Sequence, residues 1–477
     1  MKNSSIRRIL MPPNSFPAAI CGLLLAASAF PAGPLLAATP ARKPNVLVIL
    51  ADDLGYGDVG VHGCKDIPTP NIDAFARSGI RFSSGYVTGP LCSPTRAALM
   101  AGRHQSRFGH EFNPPAITEP DPFTLGLDLR ETTFADRMKR AGYVTGLLGK
   151  WHLGEGEKFH PLNRGFDEFF GFTGGAHTYL KAADKRYGPI VRGRQPVELK
   201  GYLTDVLADE AADFMKRHRA EPFFLYLAFN AVHTPVEVTP EALAKFSSIT
   251  NPERRKYAAL TWQMDQAVGR VLKQLRDLGL AEDTLVFFLS DNGGPLVRGA
   301  AKNGSQNAPL RGGKTQLLEG GIRVPFMVSW PGFLPADKVD DRPVVQLDLL
   351  PTALAAAGVA IDPTWKLDGV NLLPFLTGKS AGLPHESLFW RHGSQWAVRQ
   401  GPWKLVRWLD RCDNDADSKL IGPELYNVVE DIGEQQNLIA TQPEKARELQ
   451  AAWDGWNKDN IAPVKAKNSP GNPHPKK

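Results

Sequence analysis

Five polar segments of this 477-residue chain carry side chains able to do chemistry together. Asp52-Asp53 and Asp291-Asn292 each follow an apolar run, Val46 to Ala51 and Leu285 to Ser290. Gly149-Lys150-Trp151-His152 and Asn230-Ala-Val-His233 follow two more, Tyr143 to Leu148 and Phe223 to Phe229. One acidic pair after a strand is commonly a turn or a helix cap. Two such pairs with two His-containing loops make a different object, because three carboxylates and an amide suit a hard divalent cation, calcium or magnesium, better than zinc. Without a cation the carboxylates would repel one another.

The fifth segment, Leu91-Cys92-Ser93-Pro94-Thr95-Arg96, reads as a helix start with Ser93 as the cap and Pro94 at the first helical position. Cys92 then stands beside a helix N-terminus, where backbone N–H groups and the dipole favour an anion. Arg96 falls in the first turn, where a cation costs roughly 0.3–1 kcal/mol unless an anion offsets it. The four-residue spacing puts Cys92 and Arg96 on one face. A bound anion is the chemistry this arrangement suggests; a helix that merely begins with a cysteine is the alternative.

These segments must be held by a scaffold, and the hydrophobic pattern describes one. Strand-length runs at Asn45 to Ala51, Tyr143 to Leu148, Phe223 to Phe229, Thr284 to Ser290 and Val324 to Trp330 alternate with helical spacing at Thr132 to Ala141, Thr204 to His218, Pro252 to Leu278 and Leu347 to Ala357. That alternation predicts an α/β domain with a largely parallel sheet. In such sheets ligands bind outside the carboxyl ends of the strands, where four of the polar segments fall. After about Gly382 the texture changes to short aromatic strands, Ser387 to Trp390, Trp396 to Arg399 and Lys404 to Trp408, the last two joined by Gln400-Gly401-Pro402. Glu424 to Val428 adds a strand and Pro443 to Trp456 a closing helix, giving a smaller α+β domain packed on the first.

With 42% hydrophobic and 22% charged residues the composition is that of an ordinary globular protein. The formal charge of +6 sits at the ends: Lys2, Arg7 and Arg8 lie within the first 38 residues, and Lys465, Lys467, Lys476 and Lys477 follow Ala462, with no acid in either stretch. Removing those three and four cations leaves the body at −1, which lacks the footprint of a nucleic-acid binder. The basic start, the apolar stretch from Ala18 to Ala27 and the small residues up to Ala38 read as a secretory signal cleaved near Ala37 or Ala38. Pro31 and Pro34 interrupt that stretch before the ~20 apolar residues of a membrane span. Cys21 is a weak lipoprotein signal, since Ile20 precedes it where a small residue is wanted. An exported protein, periplasmic or extracellular, is expected. Three cysteines then remain, Cys64, Cys92 and Cys412. Cys64 and Cys412 read either as one bridge or as two buried apolar residues.

Cys92-Ser-Pro-Thr-Arg96, with Gly102-Arg103 downstream, matches the C-x-P-x-R signature of the formylglycine-dependent sulfatases, and the chain resembles that family of the alkaline phosphatase superfamily. Further matched motifs are Ala51-Asp52-Asp53-Leu-Gly-Tyr-Gly-Asp58, Gly149-Lys150-Trp-His152-Leu-Gly154, His233-Thr-Pro235, Ser290-Asp291-Asn292-Gly-Gly294 and Arg311-Gly-Gly-Lys314, over about residues 43 to 460. The resemblance implies an alkaline-phosphatase-like three-layer domain at 39–382; the change of texture sets the C-terminal α+β subdomain with its short antiparallel sheet at 383–462, and the Pro- and Lys-rich composition predicts a disordered basic tail at 463–477. It implies that Cys92 is oxidised by a formylglycine-generating enzyme and that the hydrated aldehyde is the nucleophile. Asp52, Asp53, Asp291 and Asn292 match the family's calcium ligands, with Cys92 at the same centre. Arg96, Lys150 and Lys314 match the cations around nucleophile and sulfate; His152 matches the base that helps release sulfate from the covalent intermediate, and His233 the group that assists departure of the alcohol.

His177, in the Gly-rich aromatic loop Gly174 to Tyr179, is a candidate substrate contact, whereas His104, His110 and His160 read as structural. Trp390, Trp396 and Trp403 suit either sugar stacking or core packing. The expected substrate is a sulfated carbohydrate, with aryl sulfates as surrogates. A phosphonate monoester or phosphodiester hydrolase of the same superfamily, and a catalytically dead carbohydrate-binding homologue, are the alternatives. No nucleic acid and no stable membrane span are expected.

Overall fold

The computed structural model describes residues 43–116, 123–413 and 415–464. The expected signal segment at 1–38 and the basic tail from residue 465 lie outside the described residues. No helix among the described residues is long and apolar enough to cross a membrane.

Strand Asn45–Ala51 is buried along its whole length, as a strand covered on both faces must be. Its residues alternate between two cores. Leu47, Ile49 and Ala51 face one cluster with helices Pro70–Arg77, Leu203–Arg217 and Pro252–Asp277, while Val46, Val48 and Leu50 face a second with helices Cys92–Ala101, Phe134–Arg140 and Leu349–Ala356. The result is three layers, helices on either side of a ten-stranded sheet. Its centre is parallel, in the spatial order Thr284–Ser290, Asn45–Ala51, Phe223–Ala228, Val144–Lys150 and Glu168–Phe172. Phe326–Ser329 pairs antiparallel beyond Thr284–Ser290, so the sheet is mixed at that edge. Because the five central strands run the same way, their carboxyl ends share one rim.

Past residue 382 a separate four-stranded antiparallel sheet forms from Ser387–His392, Gln395–Gln400, Trp403–Leu409 and Leu420–Asn427. One face packs Leu388, Trp390 and Val406 against Tyr86, Ala98 and Leu318 of the three-layer body, and the other packs against helix Pro443–Asn457. Trp390 is buried with its indole N–H donating to Val87 O, and Trp396 packs on Trp453, so these two tryptophans are core and offer no face to a sugar. No disulfide joins Cys64 to Cys412. Cys64 Sγ instead lies 3.2 Å from Asp66 and 3.7 Å from Arg254.

Candidate active site

The parallel strands deliver their polar ends to one place. Asp52 and Asp53 leave Asn45–Ala51, Asp291 and Asn292 leave Thr284–Ser290, Lys150 is the last residue of Val144–Lys150, and Asn230 and His233 follow Phe223–Ala228. Asp53 adopts φ 63° and His152 φ 57°, conformations few side chains other than glycine occupy, and both turn the chain sharply at the strand ends.

Helix Cys92–Ala101 points its first turn into this cluster. Cys92 is itself the first helical residue, preceded by Leu91, and no side chain caps it, so the expected cap at Ser93 is not formed. The Ser93 hydroxyl is engaged elsewhere, donating to His152 O (2.6 Å) and lying 2.7 Å from His110 Nε2. Arg96 answers its own electrostatic cost differently from expectation: its anion is an internal carboxylate, Asp291 Oδ2, at 3.0 Å from Nε and 2.8 Å from Nη2.

Three carboxylates and three cations interlock below the thiol. Lys150 Nζ donates to Asp52 Oδ2 (2.6 Å), and Lys314 Nζ reaches both oxygens of Asp53 (2.7 and 2.8 Å) and lies 3.3 Å from Cys92 Sγ. Cys92 Sγ is 3.4 Å from Asp52 Oδ1. Burial pushes the Cys92 thiol far up, with the Asp291 carboxylate adding to it, so unmodified Cys92 is a neutral thiol. Burial also works to raise Asp53, but the Lys314 ammonium, with hydrogen bonds from Lys314 and Asn292, holds that carboxyl well below the usual range. Burial and the neighbouring Asp52 charge raise Asp291. Burial opposes the charge on Lys314, yet Asp53 keeps it firmly protonated. Both histidines are lowered, chiefly by burial and then by the lysines: His152 well below its ordinary value, and His233 to about 3.

A cation fits this donor set. Asp52, Asp53, Cys92 and His233 each present a ligand atom, all within 4.8 Å of one another. Asn292 Nδ2 donates to Asp53 Oδ1 (2.7 Å), while its side-chain oxygen Oδ1 is buried with no hydrogen-bond partner. An orphaned acceptor beside clustered carboxylates is what a hard cation would satisfy. Asp291 stands beside the group, its Oδ1 accepting from the Asp53 N–H (3.2 Å).

Above the thiol opens a cavity of about 380 Å³ lined by Cys92, His152 and His233, with Asn113, Pro114, Glu155, Arg186 and Tyr187 on its walls. His177 does not line it. It is buried, with Nδ1 2.8 Å from Thr178 O and Nε2 3.2 Å from Gly188 O, so it braces the hairpin Ala183–Pro189 rather than meeting a substrate. The wall position expected of His177 belongs instead to Arg186 and Tyr187, a cation and an aromatic side by side in the turn Asp184-Lys-Arg-Tyr-Gly188, which is their one local mark in the sequence.

The family model described as Sulfatase matches residues 44–359. The chain belongs to the sulfatase family. It is 38% identical over 410 residues to the N-acetylgalactosamine-6-sulfatase of Canis lupus familiaris, covering 81% of this chain and 75% of that protein. It is 36% identical to arylsulfatase A of Bos taurus over 464 residues, 87% of each chain. Among solved structures, Ps i-CgsB in complex with k-i-k-neocarrahexaose superposes with a TM-score of 0.80 at 35% identity, covering 89% of this sulfatase and 94% of that chain. The three-layer fold of this sulfatase is accordingly that of the alkaline phosphatase superfamily, and its activity is sulfuric ester hydrolysis.

Proposed function

We propose that this sulfatase hydrolyses sulfate monoesters of a sulfated carbohydrate, using a formylglycine made from Cys92 and a bound calcium ion. The observation that carries the reading is the balance of charge under the cavity. Asp52, Asp53 and Asp291 are matched one for one by Lys150, Lys314 and Arg96, and the two lowered histidines add no charge, so an arriving sulfate ester meets no surplus of positive charge. A divalent cation held by Asp52, Asp53, Asp291 and Asn292 supplies that surplus. When bound, calcium polarises the sulfate oxygens as a Lewis acid. The formylglycine supplies, as its hydrate, a hydroxyl nucleophile in place of a buried neutral thiol and allows sulfate to be expelled as the carbonyl reforms.

The chain's own residues do the rest. Lys150 and Lys314 stabilise charge on the non-bridging oxygens, and Arg96 fixes Asp291 against the helix that carries Cys92. His233 Nδ1 is 2.6 Å from Thr234 O, which makes it a donor and leaves Nε2, 3.6 Å from Asp53 Oδ2, as the nitrogen that gives a proton to the departing alcohol; that role requires the anionic substrate to raise the lowered His233 on binding, so that the imidazole is protonated only in the complex. His152, neutral at ordinary pH, acts as base at the nucleophile. Sugar as the alcohol is supported by the relatives' names, one a sulfatase of N-acetylgalactosamine and one solved with a neocarrahexaose. Residues 39–382 form the catalytic domain and 383–462 its C-terminal partner. The character of residues 1–38 supports export, with modification of Cys92 by a formylglycine-generating enzyme on the way.

Matched sulfate and phosphate monoesters of one sugar and one aryl alcohol, assayed with and without calcium, test this. Sulfate hydrolysis exceeding phosphate hydrolysis by about 10²-fold, roughly 3 kcal/mol in transition-state stabilisation, is expected. Faster turnover of an aryl phosphonate monoester or phosphodiester, assayed alongside, would favour the alternative hydrolase, and activity on aryl sulfates alone would remove the carbohydrate.

A further inference from the structure

Lys314 is followed by Thr315, a β-branched residue held at φ 80°, in the left-handed region that favours glycine. Such a conformation persists only where its surroundings fix it. Two buried hydrogen bonds do so here. The Thr315 N–H donates to Pro90 O (2.8 Å), two residues ahead of Cys92, and the Thr315 carbonyl accepts from Gln395 Nε2 (2.8 Å). Gln395 opens strand Gln395–Gln400 of the C-terminal sheet and is fully buried. Its own amide is locked from behind, since Gln395 Oε1 accepts from the Leu409 N–H (3.2 Å) on the adjacent strand. Gln316 makes a parallel tie, donating to Leu409 O (2.6 Å).

We propose that Gln395 is a positioning residue for Lys314: by holding the Thr315 carbonyl it fixes the backbone that aims the Lys314 ammonium at Asp53 and Cys92. The four-stranded sheet thereby becomes a working part of the active site, although no residue of it lines the cavity. This inference rests on the reading that Lys314 acts on the sulfate group. An apolar side chain at 395 would leave both the Thr315 carbonyl and the Leu409 N–H unpaired in the interior, whereas a glutamate would keep the Leu409 contact but set an acceptor oxygen against the Thr315 carbonyl and push it away.

The test is a double-mutant cycle on the full chain with calcium present, using 4-nitrophenyl sulfate and reading kcat, KM and Tm. Gln395→Glu and Gln395→Met are made in the parent and in Lys314→Ala. In the parent each is expected to lower kcat/KM by about 10–100-fold, the cost of displacing a catalytic group by about an ångström. In the Lys314→Ala background the further loss is expected to stay within about twofold, because the group being positioned is gone. Equal fold-losses in both backgrounds would mean that Gln395 only stabilises the fold, and overturn the proposal alone. A Lys314→Ala enzyme as active as the parent would overturn the role of Lys314 as well. If Gln395→Met does not fold, the Gln395→Glu cycle decides by itself.

Discussion

Lys314 grips both carboxylate oxygens of Asp53, its Nζ 2.7 and 2.8 Å from them, and so ties a loop beside the C-terminal sheet to the end of the central strand. The same ammonium stands 3.3 Å from Cys92 Sγ, where charge on the sulfate would develop. Lys314→Ala should therefore lower kcat/KM for aryl sulfates by about 10²–10³-fold, the range for removing one preorganised stabilising donor. Lys314→Arg should restore little, since a planar fork does not replace a point charge in a closed site. Steady-state kinetics with Tm as a folding control checks both, and a loss under about tenfold would contradict the assignment.

Stripping calcium should abolish activity and lower Tm, because a ligand that binds only the folded state stabilises it, by about 2.7 kcal/mol at a hundredfold excess over Kd. Asn292→Ala should shrink the calcium-dependent rise in Tm. Asp58→Ala should leave that rise intact while lowering stability in the absence of metal by about 3–5 kcal/mol, as for a broken buried ion pair. Asp58 is fully buried, 2.6 Å from Arg254 and 2.7 Å from the Tyr257 hydroxyl, and serves the fold rather than the metal. Thermal melts across a calcium titration separate the two variants.

Gly175 lies so close above His152 that a Cβ there would come 2.5 Å from His152 Nε2. Gly175→Ala must displace the imidazole, and about 10²-fold loss in kcat is expected from misplacing a catalytic group. Sugar and aryl esters should suffer alike. His233→Ala should instead hurt sugar esters far more than activated aryl esters, since only the poor leaving group needs a proton. Rates on paired substrates for the two variants read this directly.

A pH effect on stability should arise at a histidine outside the catalytic set. His392 lies 3.0 Å from Asp413 and 2.9 Å from Glu111 O, and although burial opposes its charge, the bond to Asp413 raises its pKa above the ordinary 6.5. Stability from this pair is therefore complete below about pH 6.5 and is lost as pH rises through the folded-state value. Asp413 is lowered despite burial, held down by His392, so its share is lost only in acid, below 3.8. The Tm advantage of the parent over His392→Gln should therefore shrink on going from mildly acidic to alkaline buffer, whereas histidines lowered by burial, such as His152 and His233, act with the opposite sign in both proteins and cancel in that difference.

Much of this was legible in the sequence, for identifiable reasons. Asn45–Ala51 and Thr284–Ser290 match their expected bounds because a strand buried on both faces is an unbroken apolar run closed by an acidic pair. Glu168–Phe172 was missed, since five residues with a glycine among aromatics carry no clear period. That Asp52, Asp53 and His233 lie together followed from strand ends sharing a rim, while Cys92, at a helix start, was brought to them by the family signature. Arg186, Tyr187 and Gln395 followed from neither, because their importance comes from contacts across long sequence separations. His177 was misjudged for a related reason: a histidine in a glycine-rich loop looks exposed until the hairpin that folds over it is seen. Ser93 failed as a cap because its hydroxyl is committed to His152 and His110.

The central claim, that catalysis depends on conversion of Cys92, is tested most directly by peptide mass spectrometry of the Cys92 segment in preparations of graded activity. The fraction carrying formylglycine should rise in proportion to kcat across preparations, and Cys92→Ala should be inactive with an unchanged fold. A fully active preparation in which every Cys92 remains an alkylatable thiol would contradict the account.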